Sequence, residues 1–357
     1  MTLRCGIYSQ YRKFLQNTAG MTTFLELGIP SSASTVTVKA INLGAVPLSS
    51  ALPEAYFLEP ILPGYESFRA PIYAFFIEHR VTGKRLMFDL GLQPEGDHPP
   101  ALHQLLTLWR GRGYYVEPAD KDVFERLQEG GVDPATIDVV IWSHGHFDHT
   151  GEMCKFPATT ELVIGPGFDR RAFPTTPESY LIESDFTGRK VTELNLNDFT
   201  FTIGDYEALD YFSDGSFYIL NSPGHHPGHI SVLARVTPTS FVLLGGDSCH
   251  HIGQLRPTAK LQKHTPCPVH AMVSRTTPLF SEQNAYGHAD PEAARATIAK
   301  LGKFDANPDV LVIVAHDATV PAVIDEFPEA LNGWKTKGWK EKLTWAFLDR
   351  DFPALKT

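Results

Sequence analysis

Ser143-His144-Gly145-His146-Phe147-Asp148-His149-Thr150-Gly151 constrains this chain more than any other stretch. Three imidazoles and a carboxylate fall within six consecutive positions, directly behind the apolar run Ile137-Asp138-Val139-Val140-Ile141-Trp142. That run reads as a buried strand, and a strand that ends in a polar loop presents the loop's side chains at one edge of a sheet. His144 and His146, two apart, then point the same way, while Asp148 and His149 face a second point from the following turn. Donors of this type suit zinc or another borderline first-row cation. A solvated turn does not account for the cluster, because three more ligand-type residues follow in similar settings. Phe217-Tyr218-Ile219-Leu220 precedes Pro223-Gly224-His225, Phe241-Val242-Leu243-Leu244-Gly245-Gly246 precedes Asp247, and Val310-Leu311-Val312-Ile313-Val314-Ala315 precedes His316. Four strands are therefore expected to converge on one site.

This ordered set resembles the metallo-β-lactamase superfamily. The family's HxHxDH signature is matched by His144, His146, Asp148 and His149, and its later PGH, strand-Asp and strand-His elements by His225, Asp247 and His316. The resemblance spans residues 35 to 320 or so and implies an αβ/βα four-layer sandwich with loop and helical insertions. It also implies two divalent ions, most simply Zn²⁺. His144, His146 and His225 would hold the first, Asp148, His149 and His316 the second, and Asp247 would bridge them. Asp89 matches an acidic residue that supports the ligand histidines in the family.

Two divalent ions about 3.5–4 Å apart can share a water and lower its pKa from about 15.7 toward neutrality. The hydroxide so formed attacks a carbonyl polarised by one of the ions, and no serine or cysteine nucleophile is required. Within the superfamily, the run from Pro223 to His229 and the Gly245-Gly246-Asp247 triplet look most like the lactonase branch. That branch includes acyl-homoserine lactonases and fungal γ-lactamase-like enzymes. The implied activity is opening of a lactone or lactam, with a thioesterase or a mononuclear-iron persulfide dioxygenase of the same fold as alternatives. The lactonases place a tyrosine three residues after the bridging aspartate, where this chain has His250. Asp148 and His250 are the candidate catalytic residues, with His250 or its neighbour His251 assisting collapse of the tetrahedral intermediate. His226 and His229 are read as shaping the loop or bonding the backbone, and His264, His270 and His288 as surface or pocket residues.

Composition bounds the partners. With 31 basic and 41 acidic residues the net charge is −10, which opposes nucleic acid and anionic membranes and leaves a small molecule as the expected ligand. No run of about 18 apolar residues offers a membrane span. Cys5, Cys154, Cys249 and Cys267 lack CxxC spacing and read as free thiols of a cytoplasmic protein. Residues 1–20 read as a flexible tail, and residues 21–357 as a single domain with insertions near 92–118, 165–185 and 250–288. The insertions carry Trp109, Tyr114, Tyr115, Phe168, Phe173 and Tyr180, whose apolar surface suits a substrate with a hydrophobic or aromatic part.

Periodicity predicts a first strand over residues 34–41, hairpins over 71–91 and 230–246, and helices over 121–129 and 291–303. After His316 a helix is expected. Residues 331–347, with Trp334, Trp339 and Trp345, then cover the sheet or form a homodimer contact, two options the sequence leaves open.

Overall fold

The computed structural model describes residues 23–48, 59–60, 68–92, 98–111, 116–118, 120–262, 274–281 and 287–349. The expected tail over residues 1–20, together with Cys5, Tyr114, Tyr115, His264, Cys267 and His270, lies outside the described residues. The first sheet contains β1 (Val36–Leu48), β2 (Phe68–His79), β3 (Arg85–Phe88), β4 (Glu117–Pro118), β5 (Val139–Ile141), β6 (Glu161–Ile164) and β7 (Val191–Glu193), in the order β4-β1-β2-β3-β5-β6-β7. The second contains β8 (Phe201–Ile203), β9 (Tyr206–Asp210), β10 (Phe217–Asn221), β11 (Ile230–Thr237), β12 (Ser240–Leu244) and β13 (Val310–Ile313), in the order β13-β12-β11-β10-β9-β8. Both sheets are mixed: β3, β5, β6 and β7 pair in parallel, as do β12 and β13, and the rest pair antiparallel. The helices are α1 (Pro100–Gly111), α2 (Val123–Glu129), α3 (Phe147–Thr150), α4 (Glu183–Phe186), α5 (Pro291–Asp305) and α6 (Trp339–Leu343).

Strand residues alternate between two cores, which makes the four layers. Val36, Val38, Phe75, Ile77, Phe88 and Ile141 of the first sheet meet Phe217, Ile219, Val232, Val242, Leu244 and Ile313 of the second in one cluster. Their neighbours Ile72, Phe76, Met87, Val140, Tyr218, Leu233, Leu243 and Val312 point outward into the cluster that receives Leu127 of α2 and Leu301 and Phe304 of α5. Burial on both faces explains why these strands read as continuous apolar runs. The outer helices start on strong caps. Asp122 and Glu125 form a reciprocal capping box on α2, and the Asp290 carboxylate accepts from Glu292 N and Ala293 N ahead of Pro291.

Two expectations need correction. β1 runs to Leu48, seven residues beyond the expected end, because its second half pairs with β2 beyond a register shift at Asn42/Ala45. No regular helix forms between His316 and Leu331; the chain makes a short 3₁₀ turn at Val320–Ala322 and another at Leu331–Gly333, and α6 follows only at Trp339. Pro321, Pro328 and Gly333 interrupt the run and prevent a continuous i to i−4 ladder. The C-terminal segment covers the sheets: Leu331, Trp334, Trp339 and Leu343 are buried in the inter-sheet cluster. Asn332 staples the two sheets, since its Nδ2 donates to Val36 O at 2.8 Å and Val236 O at 2.9 Å while its Oδ1 accepts from Val38 N at 3.1 Å. Arg256 secures α5 through a buried bidentate pair with Asp305, both contacts 2.7 Å. Among the described residues, no helix is long and apolar enough to cross a membrane, and no disulfide joins Cys154 or Cys249 to another cysteine.

Asp185 on α4 yields a stability prediction. Its Oδ1 accepts from Cys154 N at 3.0 Å, its Oδ2 has no hydrogen-bond partner among the described residues, and burial pushes its pKa up to about 7. The folded state therefore keeps a proton that the unfolded chain loses near pH 4. Stability from this group is intact below that pH and declines as pH rises toward 7. Asp185→Asn, which cannot ionise, should raise Tm relative to the native chain at pH 8 and change it little at pH 4. An equal Tm difference at both pH values would contradict the assignment.

Candidate metal centre

Loops from both sheets deliver the site. β5 runs into Ser143 and the His144–Thr150 segment, β10 into the loop carrying His225, β12 into Asp247 and β13 into His316. The β10 loop is clamped to the start of α5. Asp290 N donates to Gly224 O at 2.8 Å, Ala289 N to His225 O at 2.9 Å, and Thr297 Oγ1 to Pro223 O at 2.7 Å. Gly224 is required there, because its φ is +127° and a Cβ would lie 2.2 Å from Ala294 N.

All seven ligand-type side chains expected from the sequence meet. His146 Nδ1 lies 2.9 Å from His144 Nε2 and 3.0 Å from His225 Nε2, which gathers three imidazole nitrogens at one point. Asp148 Oδ2 lies 3.5 Å from His316 Nε2 and 3.8 Å from His149 Nε2, which gathers a second group. Asp247 faces both. Its Oδ2 is 3.4 Å from His225 Nε2, 3.9 Å from His144 Nε2 and 3.2 Å from His316 Nε2, and its Oδ1 is 3.2 Å from His149 Nε2. Each group has a donor set able to hold a metal ion.

The local electrostatics fit such ions. His149 Nε2 and Asp247 Oδ1 are buried and make no hydrogen bond among the described residues, although they lie 3.2 Å apart in the shared space. Burial, reinforced by the neighbouring imidazoles, holds His144 well below the usual histidine range, and burial likewise lowers His146 and His225. These three are neutral, the form that binds a cation. Burial also opposes charge on His149 and His316, but the carboxylates Asp247 and Asp148 outweigh it and raise both. Asp247 is pressed well below the carboxylate range: burial works against its charge, and His316 and His149 overcome that. The second group thus demands positive charge, which protons supply in the absence of metal.

Supporting contacts surround the cluster. Asp89 Oδ2 lies 2.8 Å from His149 Nδ1, and its Oδ1 accepts from Ser143 N at 2.6 Å. Ser143 Oγ donates to Asp89 Oδ2 at 2.8 Å and lies 3.0 Å from His144 Nδ1, a linking part the sequence reading assigned to no residue. His229 bonds the backbone as expected, with Nε2 accepting from Asp247 N at 3.1 Å and Nδ1 donating to Ser222 O at 2.9 Å. His226 stays at the rim, 3.2 Å from Pro227 O. The two candidates after Asp247 separate. His250 Nε2 lies 3.7 Å from Asp247 Oδ2, whereas His251 packs against Phe280 and Phe347 and caps a 3₁₀ turn by accepting from Gly253 N. Of the two places expected for His288, surface or pocket, the structure excludes the surface: it is 2 % exposed and packs behind His225. Its insertion has no periodicity from which that burial could be read.

A cavity of about 210 Å³ opens onto the cluster, with Val46, Ala70, Leu105, Trp109, Phe147 and Tyr180 as its apolar wall and His146, Asp148, Asp247, His250 and His316 on its polar side. Trp109 and Tyr180, from two of the insertions, thus face the site. Phe168 instead packs on Trp142 in the core, at 6.1 Å between ring centroids. A larger cavity of about 420 Å³, between α5 and residues 254–260 and 277–281, is lined by Leu255, Phe280 and Ile298 and by none of the ligand-type side chains.

Comparison with known proteins agrees with this geometry. Residues 69–247 match the model of the metallo-β-lactamase superfamily. The γ-lactamase FDB1 of Fusarium pseudograminearum is 36% identical over 356 residues, covering 92% of this chain and 85% of its own. The metallo-hydrolase mfmC of Annulohypoxylon moriforme is 35% identical, covering 92% and 91%. The cytochrome P450 monooxygenase mpaDE of Penicillium roqueforti is 39% identical over 90% of this chain, which spans only 38% of that protein's length. Among solved structures, an N-acyl homoserine lactone hydrolase with the product N-hexanoyl-L-homoserine at its catalytic metal centre shares the fold. It has a TM-score of 0.57 at 18% identity, over 83% of this chain and 99% of its own. The chain belongs to the metallo-β-lactamase superfamily.

Proposed function

We propose that this protein is a dinuclear metal-dependent hydrolase that opens a cyclic ester or cyclic amide, with two divalent ions, most simply Zn²⁺, as cofactors. The observation that carries the reading is the meeting of six ligand-type side chains around Asp247, all of them buried except the half-buried His146. His144, His146 and His225 would hold one ion and Asp148, His149 and His316 the other, with Asp247 facing both groups. When bound, such a pair supplies a water acidified toward neutrality and Lewis-acid polarisation of a carbonyl.

The chain's own residues do the rest. Asp89 orients His149 from behind by accepting its Nδ1 proton, and His229 fixes the backbone of Asp247. The apolar wall of Leu105, Trp109, Phe147 and Tyr180 receives a hydrophobic or aromatic part of the substrate and excludes water from the reacting carbonyl. His250, facing the cavity beside Asp247, passes a proton from Nε2 to the ring oxygen or nitrogen as the bond to the carbonyl carbon breaks. Asp148 would combine a place in the second donor set with orientation of the attacking water. No Lys or Arg lines the described cavity, which favours a neutral ring over an anionic thioester. The γ-lactamase and lactonase names among the relatives and fold neighbours support the same choice. Four cysteines without CxxC spacing suit a reducing compartment such as the cytoplasm.

A hydrolysis screen over γ-lactones, aromatic lactams and thioesters, run with metal analysis, tests the reading. The expected result is two zinc ions per chain and ring opening that exhaustive chelation abolishes and added zinc restores. Undiminished turnover after chelation, or one iron per chain with oxygen uptake, would overturn it. For the lactone or lactam turned over, His250→Ala should lower kcat by about 10²-fold or more while bound metal stays at two ions. An unchanged kcat would remove His250 from the mechanism.

A further inference from the structure

His225 reaches the metal centre with Nε2, and an imidazole that binds metal through Nε2 carries its proton on Nδ1. Two acceptors from adjacent residues meet that proton. His225 Nδ1 is 3.0 Å from Gly287 O and 3.1 Å from His288 Nδ1. The main chain holds this arrangement on both sides, because Ala289 N donates to His225 O and Asp290 N to Gly224 O. Residues 287–290 and the loop at 224–225 are therefore clasped by backbone and side chain together. The His288 ring also lies nearly parallel to that of His250, at 5.1 Å and 28°, and His250 is nearly parallel to His316 at 6.2 Å and 10°. His288 is buried and stands behind His225, outside the six ligand-type side chains that converge on Asp247.

We propose that His288 is a positioning residue of the metal centre: by accepting from His225 Nδ1 it fixes the tautomer and ring plane of that ligand, and its ring braces His250 at the cavity wall. This rests on the dinuclear reading above. It requires a neutral His288 with its own proton on Nε2, so that the proton of His225 is shared between a carbonyl oxygen and an imidazole nitrogen. The Gly287 carbonyl alone would allow the ring of His225 to pivot, whereas a second acceptor beside it defines the plane. Outer contacts of this kind commonly carry about 10–100-fold of metal affinity.

The test compares the full chain with His288→Phe, which keeps a ring but no acceptor, and His288→Asn, whose Oδ1 can replace Nδ1. Chelator competition with Zn²⁺ and the visible spectrum of the Co²⁺ form read the two ions separately from turnover. His288→Phe should bind one ion about 10–100-fold more weakly and shift the Co²⁺ bands of that ion alone, and His288→Asn should recover most of the loss. The Tm of the metal-free protein should be similar in all three. Wild-type affinity and spectrum in His288→Phe would overturn the assignment. So would equal weakening of both ions with a fallen metal-free Tm, which is the mark of a residue that only packs. Uptake of fewer than two ions by the unmutated chain would overturn the dinuclear reading and the assignment with it, a result distinct from the other two.

Discussion

A single buried carboxylate, Asp247, lies within 4 Å of nitrogens from five imidazoles, those of His144, His149, His225, His250 and His316. Burying that charge costs several kcal/mol unless opposite charge answers it. Without metal, protonated His149 and His316 answer it; with metal, the ions do. The backbone is shaped to allow this crowding. Gly246 has φ of +51°, and a Cβ there would stand 2.9 Å from His229 Nε2 and 3.1 Å from Ser143 Cβ. A glycine before Asp247 therefore lets the end of β12 press against the loop that follows β5, and the first and second sheets meet at one carboxylate.

The rest of the architecture keeps that meeting point still. The strands supply rigid stems because both of their faces are buried, and the ligand-type residues occupy the loops just past their ends. Asp89 and Ser143 tie the β3 and β5 ends together, α5 grips the loop of His225, and Asn332 holds the sheets in register with one another. Rigid stems with polar loops at one edge allow several weakly held donors to be positioned at little entropic cost when a cation arrives. The helical insertion carrying Leu105 and Trp109 then adds an apolar wall without disturbing the polar floor.

Much of this was legible in the sequence because the pattern is local. An apolar run followed by a polar loop marks a strand end, and four such ends with His or Asp predict the convergence that the fold displays. Asp89 was legible through the resemblance to the family, which has an acidic residue at the same strand end. The remainder depends on tertiary contact. His288 lies in an aperiodic insertion, so nothing near it in sequence signals that it backs onto His225. Ser143 gains its part only because β3 brings Asp89 beside it. The second half of β1 is held by pairing with β2 past an irregular register, and the proline-broken segment after His316 is shaped by packing on the sheets rather than by helical propensity. His250 and His251 are equivalent as letters, and only the turn at Ile252–Gln254 separates the one facing the cavity from the one facing Phe280.

Anomalous diffraction at the zinc edge from crystals of the zinc-loaded protein tests the central claim most directly. The account predicts two peaks about 3.5–4 Å apart, one within bonding distance of His144, His146 and His225, the other of Asp148, His149 and His316, with Asp247 touching both. A single peak, or peaks away from Asp247, would contradict it.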